Sequence, residues 1–273
     1  MTEVVPSYLK KLTRAEKHLN ELKTEVKRYG DSHPYEITEG IEGQTKKRRG
    51  RFVRRLEFTR LPENTDIGII AADVIYNIRS GLDHLAAALV PPSRRSHTMF
   101  PIFWTGVWED PVEGENEQRT RDRQRWASVT KKMQKGAIEH LKLMQPRPGR
   151  DQDPIVNFLR VLNQLSNTDR HEKLPIMVTA LRNEVISWTE PGGRRREGHD
   201  PRTRQPGAGV NNHAEIQGIP EDATNVQIEG TPLIVIQVSE PRNQFELVEM
   251  LETAIPRIRE NGVLPLAQFL WQG

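Results

Sequence analysis

Arg79 and His84 are the side chains in this sequence whose types and spacing could do chemistry together. A guanidinium is permanently charged and binds phosphate through parallel hydrogen bonds, while an imidazole changes protonation near neutral pH. A general base for a hydroxyl proton, beside a cation for developing phosphorane charge, is what metal-free phosphodiester cleavage needs. Both residues lie in the run Asp66 to Val90, which reads as one long helix. Wound at about 100° per residue, it gathers Asp73, Asn77, Ser80 and His84 within roughly 60° of one another. Ile70, Val74, Ile78, Leu82 and Leu85 fill the adjoining apolar arc. Such a polar ridge implies partners, because an unpaired buried polar group costs on the order of 1–3 kcal/mol. Arg79 and His84 themselves point about 140° apart on a straight helix, so one chain does not aim both at one phosphate. The purely structural alternatives are an ion pair of Arg79 with Asp83, its i+4 neighbour, and a His84 hydrogen-bonded to Asp73, Asn77 or a second polar cluster.

That second cluster is expected on a helix from Pro154 to Asp169. Arg160, Asn163 and Asn167, with Arg170 and His171 if the helix continues, lie opposite Ile155, Phe158, Leu159, Leu162 and Leu165. Asp169, Arg170 and His171 crowd the helix end, a usual place for functional groups held by a rigid scaffold. The expectation is that the His84 face and the His171 end meet in one polar cluster. Asp73, His84, Asp169 and His171 would also form a borderline ligand set for Zn²⁺, Mn²⁺ or Fe²⁺. Neither helix carries an H-x-x-x-H or E-x-x-H pair, however, so no metal and no other cofactor is assigned.

Lys46 to Arg55 holds seven basic residues in ten, with Phe52 and Val53 interleaved. Lys46, Lys47, Arg48, Arg49 and Arg51 are expected at a hairpin tip that could meet nucleic-acid phosphates. Arg194, Arg195 and Arg196 form a second basic patch. Two solvated loops are the bland alternative. The Phe100–Trp104 run reads as a hydrophobic plug over a helical core or as one wall of a pocket.

These residues need a scaffold, and 273 residues suffice for a sizeable core. Mean hydropathy is −0.68 and charged residues make up 28%, so much of the length is solvated. A net charge of +3 supports no whole-chain claim about nucleic acid. The absence of cysteine excludes disulfides, thiolate metal sites and Cys nucleophiles. The N-terminal residues turn charged too early for a signal peptide, and no run of about 18 apolar residues spans a membrane. A cytoplasmic protein is expected.

Periodicity predicts helices over Ser7–Tyr29, Asp66–Val90, Thr120–Met144, Pro154–Asp169 and Gln244–Asn261. Two extended segments, Tyr35–Ile41 and Phe52–Arg60, read as a hairpin. After Lys173, the segments Ile176–Leu181, Glu184–Thr189, Ala214–Gly218, Thr224–Ile228 and Leu233–Val238 read as short strands, and Pro191–Asn212 as a loop. Helices and strands in blocks argue for α+β. The expectation is a single domain over 1–273: a helical bundle with an inserted β-hairpin and a small antiparallel sheet toward the C-terminus. Its helical part covers about 1–172, its strand-rich part about 173–240, and its closing helix about 244–261.

At the level of motifs, Asp73-x3-Asn77-x-Arg79-x3-Asp83-His84 with Asn167-x-Asp169-Arg170-His171 resembles a widespread group of uncharacterised bacterial proteins. Arg79-Ser80-Gly81-Leu82-Asp83-His84 resembles, in addition, the R-x4–6-H motif of HEPN-type ribonucleases, small helical proteins of defence and toxin–antitoxin systems. That resemblance implies a metal-independent endoribonuclease. Arg79 would stabilise phosphate and transition state, His84 would act as acid and base, and Ser80 would fill a position often held by a polar residue. It also implies a homodimer through helix 66–90 and RNA as partner. HEPN domains are essentially all-helical, whereas this chain carries strands. The alternatives are a non-catalytic protein whose polar cluster is structural or binds a small anion, and a metal-dependent hydrolase.

Overall fold

The computed structural model describes residues 5–43, 50–103, 106–109, 116–146, 154–168, 173–199, 213–216, 218–238 and 243–272. Its backbone is α+β, with helices and two antiparallel sheets. Chain contacts group into two compact units that interleave in sequence. The first comprises Met1–Glu21, Ile69–Leu174 and Glu249–Gly273, and the second Leu22–Gly68 and Pro175–Val248.

The first unit is helical. Helix α1 (Ser7–Asp31) contributes its opening turns, and α2 (Ile67–Ala88) runs through the core. Thr65 caps α2, its Oγ1 accepting from the Ile67 N–H at 3.3 Å. Val74, Ile75, Ile78, Leu82 and Leu85 on α2 are buried completely or nearly so. Gly81 lets α1 approach: a Cβ there would stand 3.3 Å from the Tyr8 carbonyl oxygen. Beyond α2, Pro91 and a 3-10 turn over Pro92–His97 lead into an extended strap, 98–103.

The single helix expected over Thr120–Met144 is instead two, α3 (Glu117–Thr130) and α4 (Lys135–Met144). Asn116 caps α3 by accepting from the Arg119 N–H at 2.9 Å. The break falls at Lys132, whose φ of 76° lies in the left-handed region and ends the helix without glycine or proline. Just before it, the Thr130 hydroxyl donates back to the Trp126 carbonyl at 2.8 Å, a bond that loosens a helix locally. Helix α5 (Pro154–Thr168) matches its expected range to within a residue. The closing helix is shorter than expected: α6 (Leu247–Ile258) passes through a five-residue π turn, Arg259–Val263, into α7 (Leu264–Ala267). Arg259 on that turn pairs with Glu16 of α1 at 2.7 Å.

The second unit holds both sheets. Strands β1 (Tyr35–Glu42) and β2 (Arg51–Phe58) form the expected hairpin, Tyr35 opposite Phe58 and Glu42 opposite Arg51. Strand β5 (His213–Ile216) adds to β2, giving the order β1-β2-β5. The other sheet has the order β4 (Arg195–Gly198), β3 (Ile176–Thr189), β6 (Thr224–Val238), β7 (Asn243–Glu246). Two expected pairs of short strands are single long ones, β3 (Ile176–Thr189) and β6 (Thr224–Val238). Between Arg182 and Val185 the register shifts at a bulge, with Asn183 at φ 53°. The turn-like residues thus mark an irregularity inside a continuous ladder. Strands β4 (Arg195–Gly198), inside the expected loop, and β7 (Asn243–Glu246), at the start of the expected closing helix, complete the sheet.

Inward residues of both sheets, Tyr35, Leu56, Leu181, Ile186, Ile216 and Ile228, form one hydrophobic cluster. The Tyr35 hydroxyl spans it, donating to the Gly230 carbonyl at 3.0 Å and accepting from the Gly230 N–H at 3.2 Å. Burial raises its pKa. Burial also pushes the Tyr29 phenol up to about 12, and its hydroxyl donates to the Arg60 carbonyl at 2.6 Å.

Candidate functional site

Helix α2 does not turn its whole polar ridge inward. Asn77 is 4% exposed, but its amide donates to its own helix, to the Asp73 carbonyl at 2.8 Å. Ser80 is half-buried, and Asp73 and His84 are exposed. The engaged polar pair lies beside the ridge. Arg79 and Asp83 form the i,i+4 ion pair at 3.2 Å, with side chains 13% and 26% exposed. Together they hold one residue of the strap: Arg79 Nη2 donates to the Phe100 carbonyl at 3.0 Å, and the Phe100 N–H donates to Asp83 Oδ1 at 2.9 Å. The pair thus satisfies both backbone groups of Phe100, whose ring is buried. Gln145, fully buried after α4, does the same further along. Its amide N donates to the Pro101 and Leu141 carbonyls at 2.9 and 3.0 Å, and its Oε1 accepts from the Phe103 N–H at 2.9 Å.

The clamped strap walls a cleft of about 630 Å³ within the helical unit. Met99, Phe100 and Phe103 supply its apolar side, so the described part of the expected run forms a pocket wall with the Phe100 ring buried, while Trp104 lies outside the described residues. Arg79 lines it from α2, and Asn163, Ser166 and Asn167 line it from one face of α5. Gln118, Asp122, Arg125, Ser128 and Val129 line it from α3, at the i, i+4, i+7, i+10 and i+11 spacing of a single helix face. The Gln118 amide donates to Asp122 Oδ1 at 3.0 Å, and Arg125 approaches the same carboxylate at 3.9 Å. One nitrogen of Arg79, Nη1, is buried with no hydrogen-bond partner among the described residues.

The structure therefore joins Arg79 to Asn163 and Asn167, while His84, Asp73 and Ser80 do not line the cleft. Asp169, Arg170 and His171 lie outside the described residues, as do Lys46, Lys47, Arg48 and Arg49. Arg51 is bound within its sheet, donating to both carboxylate oxygens of Glu215 at 2.8 and 2.7 Å, a partner that raises its pKa. Arg54, 3% exposed, pairs with Glu39 at 2.6 Å and donates to the carbonyls of Pro220, Glu221 and Ala223. Arg55 pairs with Glu42. The arginines of β2 are thus engaged by the protein itself.

The α3 residues of the cleft escape sequence reading because they match no motif and look like an ordinary solvated helix face. Their signal is the helical spacing from Gln118 to Val129, along a face that borders Trp126. Among the described residues, no group of three or more His, Cys, Asp or Glu could hold a metal ion, and no helix is long and apolar enough to cross a membrane. No protein-family model, no curated protein and no solved structure matches this chain.

Proposed function

We propose that this is a HEPN-like protein that binds RNA in the cleft between the strap, α3 and α5, and cuts it without a metal ion. One observation carries the binding half. Arg79, whose Nη1 is buried with no internal partner, lines a cleft whose other walls present Arg125, Gln118, Asn163 and Asn167. A guanidinium already held at Nη2 by a carboxylate and a carbonyl is preorganised, so a phosphate that enters the cleft meets it at little ordering cost.

Cleavage in this reading takes two copies. His84 is exposed on a different bearing from Arg79, so the imidazole of one chain would serve the phosphate held by the other. Ile69 and Tyr76, 67% and 58% exposed on the same helix, support pairing through α2.

The test incubates total RNA with the wild-type chain, His84→Ala and Arg79→Ala, each with and without EDTA, and reads molecular mass by light scattering. Cleavage by the wild-type dimer that survives EDTA and disappears in His84→Ala is the expected result. Equal cleavage by wild type and His84→Ala, or none by either, overturns the ribonuclease reading.

A specific observation favours a second, non-catalytic reading. The Arg79–Asp83 pair is already committed to the Phe100 backbone, which makes it a clamp in its own right. In that case RNA or a smaller nucleotide-type anion binds the cleft and leaves it intact.

A further inference from the structure

We infer that the cleft reads a nucleobase: its ligand is a single-stranded nucleotide unit whose base is recognised by Asn163 and Asn167. The inference rests on the reading of the cleft as an RNA site and names what that site selects. Most polar side chains around the cleft are committed to the protein. Asp83 and Gln145 are spent on the strap backbone, Gln118 on Asp122, and the Ser166 hydroxyl on the Asn163 carbonyl at 3.3 Å. The amides of Asn163 and Asn167 differ. Both line the cleft from successive turns of α5, and among the described residues neither side chain makes a hydrogen bond.

An uncommitted carboxamide offers an acceptor oxygen and two donor hydrogens. The hydrogen-bonding edge of a nucleobase presents the same mixture of donors and acceptors, which is why Asn and Gln recur as base readers. Bare phosphate would instead favour cations. Here the Asp122 carboxylate, which lines the cleft beside Arg125, opposes a free anion. The apolar side fits as well. Met99 and Phe103 offer a surface on which an unpaired base can stack. About 630 Å³ is within the usual range for a ligand of nucleotide size. Arg125, with its side chain 71% exposed, then meets the phosphate at the mouth. A base held by its edge and face inside a cleft cannot also be paired, so the ligand is single-stranded.

The experiment titrates the full chain with AMP, GMP, CMP and UMP, with ribose 5-phosphate and inorganic phosphate as base-free probes, by calorimetry. A spread of about tenfold or more between the best and worst monophosphate is expected, with both base-free probes weaker than the best. Asn163→Ala/Asn167→Ala should shrink that spread below about threefold, whereas Arg125→Ala weakens all four nucleotides alike. Exposed Asn167→Ala alone serves if the double variant misfolds, and it should shrink the spread part of the way. Equal affinities for the four monophosphates in the wild type, or a spread untouched by these variants, overturn the inference. RNA binding with equal monophosphate affinities would sink the base reading and leave the RNA site standing. Discrimination among monophosphates without RNA binding would do the reverse.

Discussion

Arg79 and His84 are five positions apart, yet the solvent treats them in opposite ways. Arg79 is enclosed by Asp83, the Phe100 carbonyl and the cleft, whereas His84 is exposed. Stability should divide them accordingly. Arg79→Ala removes the donor to the Phe100 carbonyl and leaves the half-buried Asp83 carboxylate without its cation, a loss of about 1–3 kcal/mol. His84→Ala, at an exposed position, should stay within about 0.5 kcal/mol of wild type. Urea denaturation of both variants checks this, and comparable losses would contradict the contrast drawn from burial. Any nuclease defect in His84→Ala then reflects chemistry rather than folding. Residue types made Arg79 conspicuous in the sequence. Its commitment to Phe100 was not legible there, because the bond joins positions 21 apart through backbone atoms that every residue shares.

Elements obeyed local rules wherever local forces were sufficient. Helices α1, α2 and α5 follow their apolar periodicity, and the β1–β2 hairpin follows its alternation. Departures occurred where one local signal had two meanings. Arg182, Asn183 and Gly230 resemble turn residues, but each sits inside a long strand, facing the other across the β3–β6 ladder. Gly230 is required there: a Cβ would stand 3.0 Å from Leu181 Cβ and 3.1 Å from Glu184 Cα. Gly230→Ala should therefore destabilise the protein by about 1–3 kcal/mol through overpacking, measured by thermal or chemical denaturation. A neutral or stabilising result would mean that the bulge yields freely. Strand β4 was missed because Arg195 and Arg196 read as a solvated loop. In the sheet they pair with Glu197 and Glu190, and the last residue of the strand, Gly198, lies against the Trp188 ring.

At the scale of the molecule, the proposed RNA binding would draw on few free cations, because the chain is near neutral. The described arginines of β2 are each bound to a glutamate, which leaves Arg79 and Arg125 as the cations of the cleft. With single strands, affinity falls by a log–log slope of roughly 0.7 per phosphate contact. RNA affinity should then fall with salt at a slope no steeper than about −2. A slope near −4 or beyond, measured from 50 to 300 mM salt by fluorescence anisotropy, would shift the main contact to the basic segment around Lys46–Arg49.

Composition and periodicity were enough, read one residue after another, to establish the α+β class, the main helices, the hairpin and a polar-bearing α2, because backbone propensity and apolar spacing act over a few residues. Tertiary structure alone decided which polar groups on α2 are engaged, since that depends on what packs against each side of the helix. The strap from Met99 to Phe103 lies beside Arg79 and not beside His84. Assembly of the cleft from α2, α3, α5 and the strap was likewise beyond local reading, because its walls come from positions 79 to 167 and carry no common motif.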